Sequence, residues 1–331
     1  MTPVPVLEIG GTHVTAALVD PATGLPVAGR VVRAPVSSGA GAVELLDSFA
    51  AAAHRIQAPV RADWGVALPG PFDYANGIGR FRGIGKFESL HGVDVGEELL
   101  RRLPDARTLT FLNDADAFAI GEHLGGAAEG HDRSVCVTLG TGVGSSFLSD
   151  GRPVTEDPRV PPEGRAHRIF VDGLPLEEAV SRRAIRRRYA RAAGLTERAG
   201  VPDVGAIADL ARQGESAAAA AISESFRLLG RALAPWCVAF RPGVMVVGGS
   251  MAASWDLIGP ALREGLAQRS GEDGPGGVLA EMALCPAARP EEASLIGAAH
   301  WARRAAAGSG RPWPAAEAAG QPSGTRRTAS S

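Results

Sequence analysis

Cysteine is scarce in this chain: three in 331 residues, Cys136, Cys237 and Cys285, each standing alone. None has the paired spacing of a zinc site or a disulfide framework, so a packed core must hold the fold, and a reducing cytoplasm suits it. Long apolar runs are missing as well. No stretch approaches the ~18 residues needed to span a bilayer, and no basic segment followed by an apolar one opens the chain, so no membrane partner is expected and the location reads as cytoplasmic. Charge of one sign is also lacking. With 34 Lys and Arg against 36 Asp and Glu the formal net charge is −2, which offers no electrostatic footprint for nucleic acid. Aromatic residues make up 5%, and the densest basic run, "SRRAIRRRYAR", holds a single tyrosine and no interleaved aromatic platform for stacking bases. That run (Arg182, Arg183, Arg186, Arg187, Arg188, Arg191) reads as a solvated helix face.

What is present points to an α/β protein. A chain 45% hydrophobic and 21% charged can bury a large core, and its length favours about two domains of roughly 150 residues. Residues 4–9 and 14–19 read as strands joined at Gly10-Gly11. A third strand is expected near 30–36, and "GAVELLDSFAAAAHRI" has helical periodicity. "ADWGVALPGPFD" reads as a buried strand entering a Pro-Gly-Pro loop. "TLTFL" is another strand, stopping at Asn113-Asp114, where "NDADAFAIGEHL" starts a helix. Then "RSVCVTLGTGVGSSFLSDGRPV" repeats the strand, glycine turn, strand device. Helices are expected over 176–193 and in "AAAAAISESFRLLGRALAPWCVAF", followed by the apolar strand "GVMVVGGSM" and a last helix over 294–307. The closing stretch, residues 308–331, is rich in Gly, Pro, Ser and Ala and reads as a disordered tail.

Each glycine turn alone has an ordinary explanation, since hairpins often need positive φ. The functional alternative is that backbone without Cβ atoms lets N–H groups approach phosphate oxygens. A dinucleotide-binding fingerprint is disfavoured: "GTGVGSS" runs into a strand, whereas that fingerprint must open a helix. The P-loop lysine is missing too. Asn113 and Asp114, immediately before an apolar-periodic helix, also fit an N-cap, and Asp116 in the first turn suits the helix dipole.

Taken in order, the motifs resemble the ROK family of sugar kinases. These motifs are an acid before Gly-Gly-Thr, a strand-ending Asn-Asp, a second Gly/Thr hairpin and a late apolar strand ending Gly-Gly. The resemblance covers about residues 6–307. It implies an actin-like ATPase (ribonuclease H-like) fold of two α/β domains with an interdomain cleft. The implied bounds are 1–114 completed by the helix 291–307, and 115–290 for the larger domain. It further implies that Gly10, Gly11, Thr12, His13, Gly140, Thr141, Gly142, Gly248 and Gly249 hold ATP. Asp114 would be the catalytic base, Asn113, Glu163, His167 and Glu177 would meet the sugar, and Asp116 is read as structural. Glu8 would reach Mg2+ through water, and a homodimer is usual among such proteins.

Several positions depart from the family pattern. All cysteines of the family's zinc loop are absent, so no structural zinc is expected, as in the zinc-free polyphosphate-type glucokinases. Glu8 stands where Asp is usual, His13 follows Thr12 where Lys or Asn is common, and Glu163 is displaced by one position. The sugar-facing loop reads "RFRGIGKFESLHGVDV" where relatives carry an Asn followed by a Trp. The acceptor is therefore expected to be glucose or a related hexose, with an amino sugar or C7-cyclitol as the alternative. Polyphosphate is a lesser alternative donor. The family also contains sugar-responsive repressors, which carry a helix-turn-helix ahead of the body. With the first hairpin at residue 8, no such segment is expected here.

Overall fold

A computed structural model describes residues 2–103, 105–195, 200–268 and 276–308. Strand β1 (Val4–Ile9) folds back through β2 (His13–Val19) into β3 (Pro26–Pro35), an antiparallel meander. Helix α1 (Ala42–Arg55) then carries the chain to β4 (Ala62–Leu68), parallel to β1. A ribbon of β5 (Phe72–Asp73) and β6 (Ile78–Gly79) and helix α2 (Val95–Arg102) precede β7 (Ala106–Asn113), parallel to β4. The sheet order is β3-β2-β1-β4-β7.

After helix α3 (Asp114–Gly125) the same plan recurs, with an antiparallel meander of β8 (Arg133–Leu139), β9 (Val143–Ser149) and β10 (Arg152–Pro153). A long helical insertion intervenes before the sheet resumes. It holds the ribbon β11 (Phe170–Val171) and β12 (Leu174–Pro175), then α4 (Glu177–Val180), α5 (Arg182–Ala192), α6 (Val204–Arg212) and α7 (Ser216–Phe240). Strand β13 (Val244–Gly248), α8 (Trp255–Gln268), α9 (Gly276–Glu281), β14 (Ala283–Pro286) and α10 (Ala293–Ala306) complete the chain. The second sheet runs β10-β9-β8-β13-β14, so both sheets share one topology.

The near-continuous apolar sequence of β1 follows from burial on both faces. Val4 and Val6 join a core with α3 and α10, whereas Leu7 and Ile9 join one with α1 and α2, the alternation that a strand imposes. Three glycines bring α10 against its neighbours at backbone distance. A Cβ on Gly65 of β4 would lie 2.2 Å from the Ala298 carbonyl oxygen, on Gly121 1.9 Å from that of Ala293, and on Gly297 1.9 Å from that of Ala117. Helix α3 thus lies in a layer shared by both sheets, backed by α10. Its far end is fixed by Glu122, fully buried, whose carboxylate accepts the N–H groups of Ala127, Ala288 and Arg289 at 2.7, 3.1 and 2.8 Å. The position of α3 decides where Asp114 points.

Two sequence expectations change. The single helix expected over 176–193 is two helices, because Ser181 is extended (φ −70°, ψ 164°) and its hydroxyl accepts the Ala184 N–H, capping α5. The third strand begins at Pro26 rather than near 30. The tail expected over 308–331 lies outside the described residues beyond Gly308.

Candidate active site

The first hairpin closes where the Gly10 N–H donates to the His13 carbonyl at 2.8 Å. Neither Gly10 and Gly11 nor Gly140 and Gly142 in the second hairpin adopts a left-handed φ, so torsional freedom is not why glycine is there. Space is the better reason at two of them. A Cβ on Gly11 would meet nothing within 4 Å, and one on Gly140 only the Ser250 hydroxyl at 4.0 Å. Among the described residues, the N–H groups of Gly11, Thr12, Thr141 and Gly142 have no protein acceptor. Open donors at two facing hairpins fit an anion such as a phosphate chain.

The other glycines answer to packing. A Cβ on Gly142 would fall 2.7 Å from Glu177 Oε2, one on Gly248 2.3 Å from the Phe118 ring, and one on Gly249 (φ +82°) 2.4 Å from the Leu139 carbonyl oxygen. Gly11→Ala therefore separates the two explanations. Its unfolding free energy is expected to stay within about 0.5 kcal/mol of the parent protein's, while the KM for ATP rises at least about tenfold. Thermal melts and nucleotide titrations check both.

Strand β7 ends at Asn113, which caps α3: its Oδ1 accepts the Ala115 N–H at 3.1 Å. Its Nδ2 donates to the Tyr74 hydroxyl at 3.0 Å, and that hydroxyl donates to the Leu68 carbonyl at 3.2 Å. Tyr74, which no motif marks, thus fixes which way the Asn113 amide faces. Asp114 is half-buried in the first turn, and one carboxylate oxygen also accepts the Ala115 N–H, at 2.9 Å. Burial raises its pKa above the usual carboxylate value, opposed chiefly by the Lys86 charge and then by the Ala115 N–H and Arg165. Glu8, half-buried on β1, is pushed up by burial and by Asp114, while a hydrogen bond from Ser294 works the other way.

Beyond the second hairpin a loop brings Glu163, Arg165 and His167 to the cleft. Arg165 anchors it: the guanidinium pairs in bidentate fashion with Asp116 at 2.8 and 2.6 Å and donates to the Ser145 carbonyl at 2.9 Å. Burial opposes the Arg165 charge, but the Asp116 carboxylate outweighs it and the pKa is raised. Asp116, read from the sequence as structural, is buried in this ion pair. Glu163 is exposed, in a left-handed conformation (φ 58°), and pairs with Arg168 at 2.8 Å. His167 keeps an exposed edge, yet the protein around it holds its pKa below the ordinary imidazole value, with Glu177 acting in the opposite sense. Glu177 accepts the Val143 N–H at 3.3 Å, tying the start of α4 to the second hairpin.

These elements enclose a cleft of about 2390 Å³ between the two sheets' domains. Gly11, Thr12, Asn113, Asp114, Gly140, Thr141, Gly142, Glu163, His167, Glu177 and Gly249 line it. Gly10, His13, Gly248 and Glu8 do not: Gly10 and His13 spend backbone groups closing the hairpin, Gly248 is covered by Phe118, and Glu8 is hydrogen-bonded to Ser294. The arginine run is a largely exposed face, as expected, with Arg188 the exception. Arg182, Arg183 and Arg186 line the cleft, whereas Arg188 is half-buried and donates to the Ala179 carbonyl at 3.1 Å. Among the described residues no three His, Cys, Asp or Glu side chains form a metal cage. That donor set fits a divalent ion held mainly by water and phosphate oxygens, and Glu8, expected to reach it through water, does not line the cleft.

The sequence profile of the ROK family matches residues 5–157 and 172–305, and the chain belongs to that family. The unmatched gap includes Glu163, Arg165 and His167. The glucokinase of Thermotoga maritima is 31% identical over 221 residues, 60% of this chain and 67% of that one. The ROK hexokinase of Thermus thermophilus superposes with a TM-score of 0.70 at 26% identity, covering 92% of this chain and 99% of that one. A Streptomyces griseus ROK glucokinase, solved with glucose and AMPPNP, superposes at 0.69 with 24% identity, covering 91% and 99%. The fold is that of the actin-like ATPases.

Proposed function

We propose that the protein is an ATP-dependent sugar kinase, acting first of all on the 6-hydroxyl of glucose or a related hexose. One observation carries this reading: the Asp114 carboxylate shares a cleft with two hairpins whose N–H donors lack protein partners. Asp114 orients the acceptor hydroxyl and takes its proton as the new oxygen–phosphorus bond develops, so its pKa need not approach neutrality. Gly11, Thr12, Thr141 and Gly142 donate N–H groups to phosphate oxygens, which position the donor and stabilise its charge. When bound, Mg2+ neutralises charge on the phosphates. Neutral His167, with Glu163, Glu177 and Asn113, holds sugar hydroxyls. Closure of the cleft keeps water from replacing the acceptor.

The divergent loop between Gly83 and His91 favours a second reading of the acceptor, an amino sugar or C7-cyclitol. ADP release, followed over a panel of hexoses, amino sugars and cyclitols, decides between them. Sugar binding without ATP turnover across the whole panel would sink the kinase reading and leave a sugar-responsive regulator or a non-catalytic binding protein.

A further inference from the structure

Lys86 is the one lysine in the sequence. It is half-buried, lines the cleft, and its ammonium makes no hydrogen bond or ion pair among the described residues, although its charge acts on the Asp114 carboxylate. Several other cations that line the cleft are paired: Arg80 with Asp73, Arg165 with Asp116, Arg168 with Glu163 and Arg183 with Glu178. The loop that carries Lys86 is braced. The Glu88 carboxylate accepts the N–H groups of Gly83, Ile84 and Gly85 at 3.0, 2.7 and 2.9 Å. Phe87, next in sequence, is buried against Phe49 and Phe81, and its N–H donates to the Ser38 carbonyl at 2.7 Å. Such bracing fixes the backbone at Lys86 over the cleft and leaves its stem free to move.

We propose that Lys86 is a second catalytic residue, whose ammonium binds the phosphoryl group as it passes from donor to acceptor and remains on the phosphate of the product. This rests on the kinase reading above. In the transfer, the acceptor oxygen bonds to the γ-phosphorus while the bond to the β,γ-bridging oxygen breaks. Its electron pair leaves with ADP, and the hydroxyl proton passes to Asp114. That proton cancels the carboxylate charge which Lys86 faces in the resting site, and an anionic phosphoryl group arrives on the same side. The ammonium thus has an opposite charge before and after the step. A compact cation on a flexible stem suits a partner that moves.

The lone lysine makes the test direct. Reductive methylation with ¹³C-formaldehyde labels only Lys86 and the α-amino group of the intact chain. Glucose 6-phosphate is expected to shift the Lys86 resonance and glucose alone to leave it nearly unmoved. Equal responses to the two would overturn the proposal. In kinetics, K86M is expected to lower kcat about 10²-fold with sugar KM nearly unchanged, and K86R to recover part of the loss. A raised sugar KM at unchanged kcat would place Lys86 in ground-state binding and overturn the catalytic role. If glucose 6-phosphate moves the resonance but no sugar is phosphorylated, the phosphate contact stands and the kinase reading falls.

Discussion

Asp114→Asn is expected to lower kcat by about 10³-fold, in the range found when a positioned base is lost, while sugar KM changes little. The amide keeps the shape and can still accept the Ala115 N–H that the carboxylate accepts at 2.9 Å, so α3 keeps its start. The same variant is expected to melt higher than the parent at neutral pH. Burial raises the Asp114 pKa in the folded protein, so the native state prefers the protonated acid. Between the unfolded and folded pKa values the native state binds more protons, and stability falls as pH rises through that window. Above it the parent keeps the full penalty of a buried charge and the asparagine variant does not. The gap in melting midpoint closes as pH drops below the unfolded value. Retained turnover with sugar bound would remove Asp114 from the base role, and an unchanged midpoint at all pH values would contradict the burial argument.

Arg165→Met carries the largest expected cost in stability. The Asp116 and Arg165 side chains are only 12% and 13% exposed, and removing one strands the other's charge, which costs about 3–5 kcal/mol. The sugar KM is expected to rise with it, because Arg165 holds Glu163 and His167 over the cleft. Replacing both partners, Asp116→Leu with Arg165→Met, should recover much of the stability but little of the sugar affinity, since the Ser145 carbonyl also loses its donor. Urea denaturation of the four proteins, with sugar titrations beside it, measures the coupling. If the double variant is as unstable as the single one, the pair is not what sets the cost.

The elements that carry phosphate and base were legible in the sequence because each joins two local signals, an apolar strand and a punctuating glycine or cap. Residues 4–9 read as a strand, and the break before α3 at Asn113-Asp114 was visible for the same reason. What stayed hidden depends on contacts between distant segments. Tyr74 sits in a turn with no motif and matters only because Asn113 comes back to it 39 residues later. Arg165 looked like one more arginine until Asp116 was found opposite it. Glycine reasoning was only half informative: the sequence cannot distinguish the open space at Gly11 from the packed wall of Leu139 beside Gly249. The arginine run is for the most part the solvated face expected of it, but charge density does not say that Arg182, Arg183 and Arg186 also border the cleft.

The seat of α10 has one more consequence, for the order in which the molecule can be made. Val4 and Val6 are covered by a helix that begins only at Ala293, so this part of the core closes between segments far apart in the chain. Until α10 docks, part of that face of the first sheet is bare, and contacts between such distant segments form slowly, which leaves apolar surface exposed in the folding chain.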